Sequence, residues 1–284
     1  MKKITAPVIK DLKGQRKITT ITAYDYSSGQ IADSAEVDMI LVGDSLGMVI
    51  LGYEDTLSVT MEDMLHHTAA VSRGVSRALI IGDMPFMSYQ PSVTMAVENA
   101  GKFLSKTSAR AVKLEGGFPF LKHVEAIVNS GVPVQGHIGL TPQHVARFGG
   151  FKGQGKNARS AAALVDEAIA LEAAGCFSIV LEAIPSEVAR EITERISIPT
   201  IGIGAGPDTD GQVLVYHDIL GLFDKFTPKF VKKFAALRGE SISAVSSYCE
   251  EVLSGTFPGR DYFTSMDAEE LKIFTTLLME KDNS

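Results

Sequence analysis

Cysteine is scarce in this 284-residue chain, which has two, Cys176 and Cys249. Neither metal-type spacing nor a disulfide framework can be made from them, and the pattern fits a reducing cytoplasm. Lys2 and Lys3 are not followed by the apolar stretch that a secretory signal needs. Nor does any uninterrupted apolar run approach the length of a membrane span. Basic charge is also short: 27 Lys and Arg stand against 34 Asp and Glu, a net charge of -7. With no evident cluster of cations, a nucleic-acid partner is not expected. There is no HExxH and no paired His/Cys set, so a zinc site is disfavoured.

What is present is the composition of an ordinary soluble globular protein, 45% hydrophobic and 21% charged. Eight short β-rich runs recur along it: Ile18–Thr22, Met39–Val42, Ala78–Ile81, Ala111–Leu114, Val132–Val134, Phe177–Leu181, Pro199–Ile203 and Val213–Tyr216. Several are continuously apolar, as strands buried on both faces of a parallel sheet must be. Helical stretches are expected between them at Thr60–Arg73, Val93–Ser105, Arg159–Ala174 and Ser186–Arg195. Thr60 with Asp63 reads as a capping box, and Thr141-Pro142 as an N-cap followed by proline at the first helical position.

Strand–helix alternation repeated about eight times predicts an α/β fold of the (β/α)8 TIM-barrel type, a closed parallel sheet. We expect one domain over residues 1–284: a short N-terminal segment, a barrel over about 18–225, and extra C-terminal helices over about 226–284. The segment Gly204–Gln212 is too short for a crossover helix, which leaves an open doubly wound sheet as the alternative. The glycines at 202, 204 and 206 read either as a phosphate cradle or as a tight turn with positive φ, and the turn is favoured.

The ends of the runs carry the chemistry. They read Ala23-Tyr24-Asp25, Gly43-Asp44-Ser45, Gly82-Asp83-Met84, Lys113-Leu114-Glu115, Gly136-His137, Glu182 and His217-Asp218. In a barrel all carboxyl ends of the strands meet on one face, where active sites are built. Two-residue periodicity pairs Val42 with Asp44, Ile81 with Asp83, Lys113 with Glu115, Gln135 with His137 and Val180 with Glu182, so each ionisable group should follow its apolar partner inward. Asp44, Asp83 and Glu115 around one cavity would repel unless a hard cation such as Mg2+ compensates them. Such a cation polarises a bound carbonyl. Lys113 can meet a substrate carboxylate or an enolate oxygen, and Glu182 and His137 remain for proton transfer. Taken singly, each has a plainer reading: Asp44 and Asp83 as turn caps, Lys113 and Glu115 as a rim ion pair, His137 as a buried histidine, Glu182 as a solvated strand end. Their coincidence at matching strand ends favours a site.

The runs Leu41-Val42-Gly43-Asp44-Ser45-Leu46-Gly47-Met48, Asp83-Met84-Pro85-Phe86-Met87, Val112-Lys113-Leu114-Glu115-Gly116-Gly117, Gly136-His137-Ile138-Gly139-Leu140-Thr141-Pro142-Gln143 and Ile201-Gly202-Ile203-Gly204-Ala205-Gly206 strongly resemble the ketopantoate hydroxymethyltransferases. The resemblance runs in order from about residue 3 to about residue 260. It implies hydroxymethyl transfer from 5,10-methylenetetrahydrofolate to the α-keto acid 3-methyl-2-oxobutanoate, through a metal-stabilised enolate, on the route to pantothenate. It further implies Mg2+ on Asp44, Asp83 and Glu115, directly or through water; keto-acid contacts from Asp44, Ser45, Asp83 and Lys113; Glu182 as general base; and a decameric homo-oligomer. Residues 262–284 have no counterpart in it and read as a terminal helix. Two rivals stand beside this reading. A barrel lyase of the isocitrate-lyase or phosphoenolpyruvate-mutase kind shares the enolate logic but needs a Lys-Lys-Cys-Gly-His type loop, which the sequence lacks. A silent barrel scaffold predicts gaps in the carboxylate set, and there are none.

Overall fold

In the computed structural model, which describes residues 3–150 and 152–282, the chain forms two compact units that meet at Ala235 and Ala236. The first holds eight strands: β1 (Ile18–Thr22), β2 (Met39–Val42), β3 (Leu79–Asp83), β4 (Ala111–Glu115), β5 (Val134–Gly139), β6 (Ser178–Glu182), β7 (Thr200–Ile203) and β8 (Gly211–Leu214). Each pairs in parallel with the next, and β1 pairs in parallel with β8 through Ile18↔Gly211 to Ile21↔Leu214. That last pairing closes the sheet and decides between the barrel and an open sheet. Most strands lie where the apolar runs placed them, but β5 shares only Val134 with the run Val132–Val134 and continues to Gly139, β8 begins two residues before Val213, and β3, β4 and β6 extend to Asp83, Glu115 and Glu182. The polar strand ends are therefore held in the hydrogen-bonded ladder itself.

Ten helices belong to this unit: α1 (Ala6–Asp11), α2 (Tyr26–Ser34), α3 (Leu46–Val49), α4 (Met61–Gly74), α5 (Val93–Lys106), α6 (Leu121–Asn129), α7 (Val145–Phe148), α8 (Ala158–Ala173), α9 (Ser186–Arg195) and α10 (Tyr216–Ile219). The capping box at Thr60 is present, with the Asp63 N–H donating to the Thr60 hydroxyl and the Thr60 N–H to the Asp63 carboxylate. Thr141 departs from expectation. Pro142–His144 is a single 3-10 turn, and the Thr141 hydroxyl lies 3.0 Å from His144 Nδ1 rather than capping backbone. No helix joins β7 to β8; Gly204 and Gly206 turn the chain at φ +63° and +83°, as the tight-turn reading required.

Two apolar layers result. Met39, Leu41, Leu79, Ile81, Val180, Ile201 and Val213 fill the barrel, while Ile40, Val42, Ile80, Val112, Leu114, Ile179 and Leu181 point outward to the helices. Ala6 and Ile9 of α1 join the inner cluster and stop the barrel at the end where the strands begin. The opposite end stays open. Residues 226–235 stay with the barrel unit, anchored by the Phe234 N–H on the Ile219 carbonyl.

The second unit contains α11 (Leu237–Ser254) and α12 (Ala268–Asp282), the latter being the terminal helix read from the sequence. Gly255, at φ +74°, ends α11 in a left-handed cap. Phe257 lies between the rings of Tyr248 and Tyr262, with centroids 5.6 Å from each. Among the described residues, no helix is long and apolar enough to cross a membrane.

At the stopped end, Asp38 precedes β2 and ties it to β1. Its buried carboxylate accepts two N–H bonds from Arg16, at 2.6 and 2.8 Å, and bonds from the Thr19 N–H and hydroxyl. Burial alone would raise its pKa; Arg16 and Thr19 outweigh that and hold it below the usual carboxylate range. A depressed folded pKa contributes stability above the unfolded value of about 4 and loses it as pH falls through the folded value. Asp38→Asn is therefore expected to destabilise the chain by about 2 kcal/mol at pH 7, a deficit that shrinks toward zero below about pH 3. Denaturant unfolding of both proteins across that range checks it.

Candidate active site

The open end of the barrel encloses a cavity of about 190 Å³, lined by Asp44, Ser45, Asp83, Lys113, Glu115, His137 and Glu182. These seven site candidates are thus brought to one place, while Asp25 and His217, which also end apolar runs, do not line it. β3 supplies Asp83, β4 supplies Lys113 and Glu115, β5 supplies His137, and β6 supplies Glu182. Neighbouring registers align them, with Asp83↔Lys113, Glu115↔His137 and Gly139↔Glu182 paired across the sheet.

One inference from periodicity needs correction. Val42 points outward into the helix layer, so Asp44 does not reach the cavity by sharing its face. The inward residue of β2 is Leu41. Strand alternation lapses at Gly43, where the chain turns toward α3, and that turn delivers Asp44. Its backbone N–H donates to Asp83 Oδ2 at 3.3 Å. Ser45 lies beside it, its hydroxyl 2.8 Å from the Tyr24 hydroxyl.

The electrostatics are those of a crowded, buried acid cluster. Asp44, Asp83, Lys113, Glu115 and His137 are each at most 4% exposed. The Lys113 ammonium donates to both oxygens of Asp83, at 2.7 and 2.8 Å, and stands 3.8 Å from Glu115. Burial opposes its charge, but Asp83, Glu115 and Asp44 together raise its pKa. His137 lies 3.5 Å from Glu115 by Nδ1 and 3.2 Å from Glu182 by Nε2, ion-pair distances at which neither ring nitrogen is aligned for a full hydrogen bond. Burial and Lys113 both disfavour its charged form; Glu115 and Glu182 outweigh them and push its pKa up to about 9. It is an imidazolium at neutral pH.

The carboxylates share the cost unequally. Burial would raise Glu115, but His137 and Lys113 pull it below the usual range. Asp83 is raised by burial and by Glu115, against the pull of Lys113. Asp44 is raised furthest into the neutral form, by burial first and then by the charges of Asp83 and Glu115. Four acids face two cations, a formal excess of two negative charges, and Asp44 answers it by being pushed furthest toward its neutral form.

A residue that sequence reasoning passed over organises this cluster. Gln143, buried in the 3-10 turn after β5, donates its backbone N–H to Glu115 Oε2 at 2.9 Å. Its side-chain amide donates to Asp44 Oδ2 at 3.0 Å and to the Met84 carbonyl at 2.9 Å. The amide oxygen accepts from the Tyr89 hydroxyl and from Gln90, each at 3.0 Å. Its signal was positional: it closes the run that begins at Gly136-His137, four residues past the end of a site-bearing strand. Asp218 also lines the cavity, and burial raises its pKa to about 6.

With this geometry in view, comparison with known proteins is informative. Residues 3–260 match the family model described as ketopantoate hydroxymethyltransferase. The chain belongs to the ketopantoate hydroxymethyltransferase family. A 3-methyl-2-oxobutanoate hydroxymethyltransferase of Syntrophobacter fumaroxidans is 59% identical over 270 residues, 95% of this chain and 96% of that one. A protein of the same name from Oleidesulfovibrio alaskensis is 55% identical, over 94% of this chain and 92% of its own. Among solved structures, a phosphonopyruvate hydrolase has the same barrel, with a TM-score of 0.62, 12% identity, and 98% and 97% of the two chains covered. Its complex with oxalate and Mg++ gives a TM-score of 0.60 at 12% identity, with the same coverage. At that identity the likeness concerns the fold alone. Family membership makes the chain an enzyme, a transferase of hydroxymethyl groups.

Replacing Gln143 with Leu removes every side-chain donor and acceptor from the cluster while keeping its bulk. We expect a loss of about 2 kcal/mol in unfolding free energy, the cost of stranding a buried carboxyl and a carbonyl. Denaturant titration at pH 7 measures it; a variant as stable as the parent would show that the amide bonds are dispensable.

Proposed function

We propose that the chain transfers a hydroxymethyl group from 5,10-methylenetetrahydrofolate to 3-methyl-2-oxobutanoate, giving 2-dehydropantoate and tetrahydrofolate. The observation that carries this is the contact between Glu182 and the His137 imidazolium beside a cavity whose far wall is Lys113 and three carboxylates. One side is equipped to take a proton, the other to hold the carboxylate and keto oxygens of an α-keto acid.

A hard divalent cation suits the donor set. Only oxygen ligands face the cavity from Asp44 and Asp83, and the raised pKa of Asp44 records negative charge that a cation would neutralise. Among the described residues, no three His, Cys, Asp or Glu side chains are grouped to hold a metal by themselves. An all-oxygen donor set suits an ion such as Mg2+, which keeps several positions for water and substrate oxygens. Asp44 and Asp83 would hold it, with Glu115 adding charge from behind. When bound, it supplies Lewis-acid polarisation of the keto group.

The chain's own groups perform the remaining work. Lys113 has committed two N–H bonds to Asp83 and keeps a third for the substrate carboxylate or the enolate oxygen. Ser45, held by Tyr24, is placed to donate to the same end of the substrate. Glu182, the least enclosed of the acids at 15% side-chain exposure, removes the C3 proton. His137 fixes that carboxylate and balances its charge. The donated carbon then bonds to C3 and takes its hydroxyl oxygen from water as both of its carbon–nitrogen bonds to the folate break. The C3 proton and the second water proton end on the two nitrogens of the folate.

Glu182→Gln should abolish solvent exchange at C3 of the keto acid while its binding stays within a few-fold of the parent, read by deuterium incorporation and by ligand titration. Exchange at the parental rate would remove Glu182 as the base. Asp83→Ala should weaken Mg2+ binding in calorimetric titration by at least about tenfold, roughly the worth of one buried carboxylate ligand. An unchanged isotherm would place the ion elsewhere.

A further inference from the structure

The reaction proposed above moves two protons, and the groups assigned so far account for one. Glu182 takes the proton from C3. Water must also lose a proton as its oxygen joins the donated carbon, and each nitrogen released from that carbon must gain one. A second proton-carrying group is needed in the same cavity, and it has to be free of other partners. Asp44, Asp83, Lys113, Glu115, His137 and Glu182 hold one another or are held by Gln143. The remaining ionisable side chain in the cavity wall is Asp218.

Asp218 lies in α10, past the end of β8 and toward the open side of the cavity. It is 8% exposed, yet among the described residues its carboxyl accepts no hydrogen bond. A carboxyl withdrawn from water and left unbonded is costly to keep, and such groups call for an explanation. Burial raises its pKa to about 6, against the pull of Lys233 from the segment after α10. The other titratable group that feels it is the buried Tyr24 at the end of β1. His217, its neighbour in α10, packs its ring near those of Tyr24 and Tyr216 and does not line the cavity. Around the barrel only β7 separates β6, which carries Glu182, from β8. The two carboxyls therefore reach the cavity from neighbouring sectors of its wall and can serve different atoms of one reacting assembly.

We propose that Asp218 is the second proton-transfer residue, acting on water and on a departing nitrogen while Glu182 acts at C3. This rests on the reaction proposed above. As a carboxylate, Asp218 takes a proton from the water whose oxygen bonds to the donated carbon. The carbon–nitrogen bond breaks with its electron pair staying on nitrogen, and Asp218 delivers the proton there and is a carboxylate again. The other water proton remains on the product hydroxyl. The C3 proton, carried by Glu182, goes to the second nitrogen. A carboxyl that titrates near the working pH is suited to accept and return a proton in this way.

Free formaldehyde separates the two roles. It brings its own oxygen and has no carbon–nitrogen bond to break, so its addition to the keto acid requires only that the C3 proton reach the new oxygen. Asp218→Asn keeps the shape of the side chain and removes its acidity. It is expected to slow transfer from 5,10-methylenetetrahydrofolate by about a hundredfold, while transfer from formaldehyde and solvent exchange at C3 stay within a few-fold of the parent. The unsubstituted chain gives a second reading. Its rate with the folate donor, divided by its rate with formaldehyde at the same pH, should fall as pH drops through about 6 and Asp218 becomes protonated. A variant that loses both donors equally, or neither, overturns the role, and so does a parental ratio that does not change with pH. A parent chain that transfers from neither donor and exchanges nothing at C3 overturns the proposed reaction, and this role with it.

Discussion

The organisation of the open end depends on one buried contact, the Lys113 ammonium held between Asp83 and Glu115. Without that charge, three carboxylates that are almost wholly withdrawn from water could not remain ionised together. With it, Glu115 stays anionic and in turn raises His137 to an imidazolium, which reaches across to Glu182. Charge is thus relayed across three adjacent strands, β4 to β5 to β6, by residues that share a face of the barrel. The parallel ladder makes this possible, because equivalent positions on neighbouring strands fall side by side.

Compensation is left incomplete at Asp44, and that is where chemistry can enter. Gln143 meets Asp44 with a neutral amide rather than a charge. A cation in its place would have quenched the site; an amide orients the carboxyl and leaves its demand unsatisfied. The same residue steadies Glu115 through its backbone N–H, so one residue on a short turn sets the positions of two acids from separate parts of the barrel. Tyr89 and Gln90 lock the amide from the other side, which fixes which end is donor and which acceptor.

Much of this was legible in the sequence, for identifiable reasons. Strands buried on both faces announce themselves as apolar runs, and the residues that end them must gather at one end of a barrel. Lys113, Glu115, His137 and Glu182 could therefore be placed together before any coordinates. Asp44 reached the right place by a different path from the one periodicity gave, because alternation holds only while the chain remains a strand. Gln143 was passed over because a neutral residue in a loop has no charge or period to mark it. The closed sheet also had to be observed, since the helix-free link from β7 to β8 is compatible with either topology on paper.

The plug that α1 makes at the base of the barrel has a kinetic meaning. With Ala6 and Ile9 filling that end, the described residues of the barrel leave its chamber open at the carboxyl ends of the strands. Whatever occupies the floor must arrive before whatever occupies the threshold, and must depart after it. A molecule seated against Lys113 is trapped while another stands over Glu182. For the proposed reaction, that order would be the keto acid first, the one-carbon donor second, the spent carrier out, and the product last.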